Sequence, residues 1–343
     1  MRSRSFGTAL CVRGLVVIWL SVTAAMAQTA TSRIVGAANA FLATLDQKQK
    51  QNVLFAFNDP KQRVRWSNLP TKMVPRAGLS MGELNATQRA GALALVSSAL
   101  SRRGFEKIQQ IVEADETLKA NEKNNPLFGK NLYYISILGT PSEKDPWMLQ
   151  FGGHHLALNI TIAGEHGILT PTLTGAQPAL YMMNGKTVRP LGQESDKAMA
   201  LLNAFDDNQR KQAILGYGLA DLVLGPGQDG KTIQPEGLKA SAMNERQRAM
   251  LLDVISEWTV IVHESAATAR MAEIKAGLDN TWFAWSGPTT VTPGSNITAY
   301  YRIQGPNLVI EYAPQRLGGD PSLHVHTMYR DPTNDYGKKF IAK

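Results

Sequence analysis

The sequence predicts an α+β fold in which two degenerate repeats, each a helical segment followed by antiparallel β-hairpins, share one core. Three observations predict it. A helix-opening pattern recurs four times, a strand-turn-strand segment recurs twice, and helical periodicity precedes strand alternation in both halves. Together they give a single domain over residues 28–343, built of copies at about 30–180 and 185–335.

The helix openings are Asp46 to Lys50, Asn85 to Arg89, Asp206 to Arg210 and Asn244 to Arg248. Each sets Asp or Asn three residues before Gln, after an apolar residue: Leu45, Leu84, Phe205 or Met243. The first side chain accepts from the orphan amides of a starting helix, and the glutamine reaches back to the cap. Apolar runs follow, such as Leu93, Val96, Leu100 and Leu251, Ile255, Trp258, Val262. Gly78-Leu79 precedes Asn85 just as Gly237-Leu238 precedes Asn244.

The strands match in the same order. Asn131 to Ser136 answers Asn280 to Trp285, and Leu149 to Ile160 aligns without gaps to Tyr301 to Tyr312. The latter reads as a hairpin turning at Gln304 to Asn307, so the former turns at Gly152 to His155. No long linker separates the copies; Pro178 to Pro190 is a short loop.

Residues 1–27 read as a secretory signal peptide. Arg2, Arg4 and Arg13 are basic, Gly14 to Leu20 is apolar, and Ala25-Met26-Ala27 is a cleavage signal before Gln28. The apolar run is short for a membrane span, so no stable span is expected after cleavage. A secreted or periplasmic location follows. Cleavage removes three arginines and no acids, taking the net charge from +8 to +5. With no basic stripe interleaved with aromatics, a nucleic-acid partner is not expected. The single cysteine, Cys11, lies in the leader, so thiol catalysis and thiolate-bound metals are excluded from the mature chain.

Four of the six histidines fall in two tight pairs, His154-His155 and His324-Val325-His326. Imidazole is the commonest protein ligand for zinc, copper and iron. His154 and His155 occupy turn positions where the second copy has Pro306 and Asn307, ordinary turn residues. On a strand, adjacent side chains diverge, so one of the two is expected to bind directly. His324 and His326 share one strand face, while Val325 takes the other. Asp331 and Asp335 offer a third ligand, an orienting carboxylate or a general base, or else cap turns. Glu311, like Asn159 in the first copy, is polar between apolar residues and offers a substrate contact or a base, or else a solvated strand face. His166 reads as a loop residue. His263 falls in the helix opened by Asn244 and has no H-E-x-x-H partner. There is no G-x-S-x-G, Walker loop or placed dinucleotide fingerprint. Trp282, Trp285, Tyr300 and Tyr301 read as sheet packing, with an aromatic groove as the other reading.

Trp147 to Leu158, the stretch Leu169 to Ala176, and the ending His324 to Gly337 resemble the domain of unknown function 3500 family over nearly the whole mature chain. The resemblance implies one exported domain and carries no catalytic assignment.

The expectation is an exported metal-binding protein, a metal-dependent enzyme acting on an extracytoplasmic or small-molecule substrate. One divalent ion would be held by His154 or His155 with His324 and His326. Asp331 or Glu311 would act as base or orienting group. Zinc implies hydrolysis; copper or iron implies oxidation. The alternatives are a non-catalytic exported protein binding a metal or small ligand, and a metal-free interaction module. Oligomeric state is not legible.

Overall fold

The computed structural model describes residues 29–341. The signal-peptide expectation for 1–27 falls outside them. Among the described residues no helix is long and apolar enough to cross a membrane.

The chain opens with α1 (Ala30–Ala43), α2 (Gln47–Val53), β1 (Leu54–Phe55), α3 (Pro60–Arg63) and β2 (Leu79–Ser80). The helices α4 (Ala86–Ala99) and α5 (Arg102–Asn121) follow. Next come β3 (Tyr134–Leu138), β4 (Trp147–Gly153), β5 (Leu156–Ala163), β6 (His166–Ile168) and β7 (Thr172–Ala176). A small hairpin, β8 (Tyr181–Met183) and β9 (Lys186–Val188), leads to the later helices. These are α6 (Gly192–Asn203) and α7 (Asp207–Ala213), then, after β10 (Leu238–Lys239), α8 (Glu245–Thr259) and α9 (Glu264–Ala276). The chain ends with β11 (Trp282–Ser286), β12 (Tyr300–Gly305), β13 (Leu308–Pro314) and β14 (Val325–Arg330).

All four predicted helix openings are reciprocal capping boxes, at Asp46, Asn85, Asp206 and Asn244. Their glutamines also interlock. Gln88 Nε2 donates to Gln49 Oε1 at 2.8 Å and Gln247 Nε2 to Gln209 Oε1 at 2.7 Å, so each pair of helix starts is tied together. The Gly-Leu pairs have a steric reason. A Cβ on Gly78 would lie 2.2 Å from the Ile135 carbonyl oxygen, and one on Gly237 2.2 Å from that of Phe283. Both glycines have positive φ, so only glycine fits.

A mixed, mostly antiparallel sheet runs β1-β3-β4-β5-β7-β14-β13-β12-β11-β10, with β2 on β3 and β6 on β5. The two chain halves meet at β7 and β14, where Thr174 and Thr327 are partners and their hydroxyls lie 2.7 Å apart. Alternate strand residues such as Ile137, Leu149, Ile303 and Tyr312 face the helices. The opposite face buries Met148, Ala157, Leu173 and Met328 under Trp66, Leu222 and Tyr336, from irregular segments and the C-terminal turn. Trp285, Tyr301 and Tyr312 stack in the helix-side core, so these aromatics serve packing. Between the helices, the Lys107 ammonium is 2.5 Å from Glu194 and donates to the Glu257 carbonyl at 3.1 Å, all three side chains being buried.

Three local expectations are corrected. The stretch from Pro178 to Pro190 is not a plain loop but carries the β8–β9 hairpin. The helix from Asn244 ends at Thr259, and His263 is instead the N-cap of α9. The three residues Val260 to Val262 are β-branched and disfavour helix. Val262 bridges Leu100, and the His263 amide donates to Ala99. His166 is not in a loop; it starts β6, paired with Ala163 across a Gly164-Glu165 turn.

Candidate metal centre

The first pair of histidines forms the entire turn of the β4–β5 hairpin, since Gly153 and Leu156 are cross-strand partners. Pro306-Asn307 hold the same place between Gly305 and Leu308. His155 has φ 62°, uncommon for a residue with a Cβ. The turn is fastened at both carbonyls. Tyr133 Oη donates to that of His154 at 2.8 Å, and the Gly175 amide donates to that of His155 at 2.7 Å. This positive-φ turn swings the His155 ring over the central strands.

The second pair comes from the entry to β14. His326 is the partner of Gly175 on one side and Ala313 on the other. A Cβ on Gly175 would lie 3.2 Å from Cδ2 of both His155 and His326, so this glycine makes room for two imidazoles. His324 and His326 share a face, as the alternation predicts.

Three Nε2 atoms converge. His155 Nε2 is 3.0 Å from His324 Nε2, which is 3.2 Å from His326 Nε2. Metal–nitrogen bonds of about 2.0–2.1 Å at a tetrahedral angle separate ligands by roughly 3.3 Å, close to this spacing. The outer nitrogens set the tautomers. His324 Nδ1 donates to the Leu317 carbonyl at 2.7 Å. His326 Nδ1 lies 3.6 Å from the Asp221 carboxylate and 3.3 Å from Asn68 Nδ2. A carbonyl only accepts, so His324 Nδ1 carries the hydrogen and its Nε2 turns a lone pair toward the other two imidazoles. A bound cation would take that lone pair. A proton is a poor candidate. Burial, then the neighbouring His326, pushes His324 down to about 4, and burial lowers His155 and His326 as well. Although burial pushes Asp221 upward, the neighbouring His326 and a hydrogen bond from the Leu222 amide bring its carboxyl below the usual range.

His154 does something else. Its Nδ1 donates to Asp115 Oδ1 at 2.6 Å, a hydrogen-bond length too short for two ligands of one ion. Asp115, on α5, also accepts from the Gly129 amide at 2.8 Å. The His154 ring lies against that of His155, centroids 3.6 Å apart. His154 therefore braces the turn, and His155 joins the trio. Asp115, His154 and His155 form a second buried group of metal-ligand type.

The structure does not bring Asp331 to the histidines. It follows the far end of β14, pairs with Arg270 at 3.1 Å and accepts from the Thr333 amide at 2.9 Å. Asp335 pairs with Arg330. Glu311 lies on the same sheet face as His326, one strand away, and accepts from two backbone amides and the Tyr300 hydroxyl. His166 packs on Phe340, away from the trio. Sequence reasoning missed Asp115, Asp221, Asn68 and Gly175. Only Asp115 had a readable signal. It falls in the buried series Ile108, Ile111, Asp115, Leu118, a carboxylate in an apolar stripe.

Comparison with known proteins finds no match among curated proteins and none among solved structures. The family model described as protein of unknown function (DUF3500) matches residues 27–338, nearly the whole chain, and the chain belongs to that family.

Proposed function

We propose that this is an exported metal-binding protein whose ion is held by His155, His324 and His326. The observation that carries the reading is the convergence of three imidazole Nε2 atoms with the outer nitrogens of His324 and His326 already engaged. An all-nitrogen set without thiolate suits zinc, copper or iron. Three ligands leave a fourth position for water or oxygen, which supports a metal-dependent enzyme: hydrolytic with zinc, oxidative with copper or iron. Burial of all three histidines favours the second reading, a non-catalytic metal-binding protein, because a substrate reaches the ion only if the covering segments move. The leader of residues 1–27 supports a secreted or periplasmic location. The mirrored strand order, matched capping boxes and matched hairpin turns support duplication within one domain, with copies at about 30–180 and 185–335.

The mature chain from Gln28, expressed without a histidine tag, should carry one equivalent of metal by elemental mass spectrometry, and His326→Ala should carry none. Full occupancy in His326→Ala would refute the ligand set. Azide added to the cobalt form should shift its visible bands if the fourth position is open; unchanged bands favour the non-catalytic reading.

A further inference from the structure

Two irregular segments cover the sheet face that bears His326, one before β2 and one between α7 and β10. Each delivers one polar side chain to His326 Nδ1. The first brings Asn68 and the second Asp221. Asp221 belongs to a segment of no regular structure and is 54% exposed at its side chain, so its own packing does not hold it in place. The hold comes from the residues two and three positions further on. The Val223 amide donates to Glu311 Oε1 at 2.7 Å and the Leu224 amide to Glu311 Oε2 at 2.8 Å. Glu311 is fully buried, and its Oε1 also accepts from Tyr300 Oη at 2.7 Å. Gln315, further along the chain from β13, donates to Asp221 Oδ1 at 2.9 Å.

Three donors aimed at one buried side chain require a group that only accepts. A carboxylate satisfies all three, whereas a carboxamide sets its own N–H₂ against one of them. A buried carboxylate is costly unless such donors surround it, and Arg302, the cross-strand partner of Glu311 on β12, adds a positive charge nearby. What that arrangement fastens is the segment that carries Asp221. The first half fastens its own segment with neutral groups at the matching place. Asn159 accepts from Gln150, which accepts from Gln62 and donates to the Arg63 carbonyl, five residues before Asn68.

We infer that Glu311 is the positioning residue of the metal centre: through Val223 and Leu224 it fixes Asp221 against His326 and so sets how tightly the ion is held. This rests on the metal reading above. A carboxylate that faces the outer nitrogen of a ligating histidine, as Asp221 does at 3.6 Å, orients the ring and raises its basicity, and loss of such a partner lowers metal affinity by about 10–100-fold.

The test is a double-mutant cycle on metal affinity, read by chelator competition with zinc and by the visible spectrum of the cobalt form. Asp221→Ala, at an exposed side chain, and Glu311→Gln should each weaken zinc by about 10–100-fold. The pair together should weaken it no further than the stronger single change, because both remove one contact. The cobalt spectra of the three variants should coincide with one another and differ from wild type. If Glu311→Gln does not fold, Glu311→Asp, which keeps the charge and shortens the reach, enters the same cycle. Losses that multiply, or a Glu311 variant with wild-type affinity, would overturn the inference while leaving the metal site standing. Absence of zinc and cobalt binding by the wild type would overturn both.

Discussion

Gly175→Ala tests the centre through packing, without touching a ligand. The new methyl would sit 2.9 Å from the Val325 carbonyl oxygen and 3.2 Å from Cδ2 of both His155 and His326. Ordinary carbon–carbon contact is about 3.5–4.0 Å, so each ring must retreat by roughly 0.3–0.8 Å. The carbonyl belongs to a paired strand and cannot yield alone. Metal sites tolerate ligand displacements of about 0.2 Å, so zinc affinity should fall by at least about 10-fold. The metal-free protein should lose about 1–3 kcal/mol in urea denaturation, the usual cost of overpacking a buried site. Gly36→Ala, in α1 with nothing within 4 Å of the new methyl, is the control and should gain about 0.5–1 kcal/mol. Wild-type zinc affinity in Gly175→Ala would refute the claim that this glycine exists to admit two imidazoles.

His154→Ala and His155→Ala should separate the adjacent histidines: the second loses stoichiometric metal by elemental mass spectrometry, and the first keeps it at lower affinity. Equal losses would remove the division of roles. Lys107→Met should cost about 3–5 kcal/mol in urea denaturation, because it leaves Glu194 buried without its cation, while Glu257 keeps Arg103 and Lys197. His263 Nδ1 faces the Ser265 hydroxyl at 3.0 Å and accepts from the Ala266 amide, which requires a neutral ring. Burial, then Arg33, lowers its pKa, so its contribution is full above the ordinary histidine range and is lost as pH falls through the lowered value. The stability difference between wild type and His263→Asn should shrink by about 1 kcal/mol on acidification from pH ~7.5 to ~5; a constant difference would show that the cap does not titrate.

Local chemistry was legible and long-range convergence was not. The four capping boxes and the His154-His155 turn were readable because each is decided within a few residues. The shared face of His324 and His326 followed from strand alternation alone. His263 was misplaced because helical spacing ran on through Val262, while the pairing of Val262 with Leu100, far away in sequence, ends the helix. Asn68 and Asp221 carried no signal, since irregular segments have no periodicity to betray direction. Glu311 was legible as a polar residue on a strand. Its role was hidden because it depends on the amides of Val223 and Leu224.

His155 and His324 are 169 residues apart, and backbone pairing of the sheet sets where each ring begins. The Gly175–His326 register places β14, the Gly175 amide fixes the His155 carbonyl, and the Gln315 amide donates to the His324 carbonyl at 2.7 Å. The centre is therefore preorganised by the sheet, unlike small metal domains that unfold without their ion. Chelation should then leave far-ultraviolet circular dichroism unchanged and lower the melting temperature by linkage alone. A thousandfold excess of metal over Kd contributes about 4 kcal/mol, so loss of that term sets the expected shift. Unfolding of the metal-free protein at room temperature would show instead that the ion, and not the β7–β14 pairing, holds the two halves of the site together.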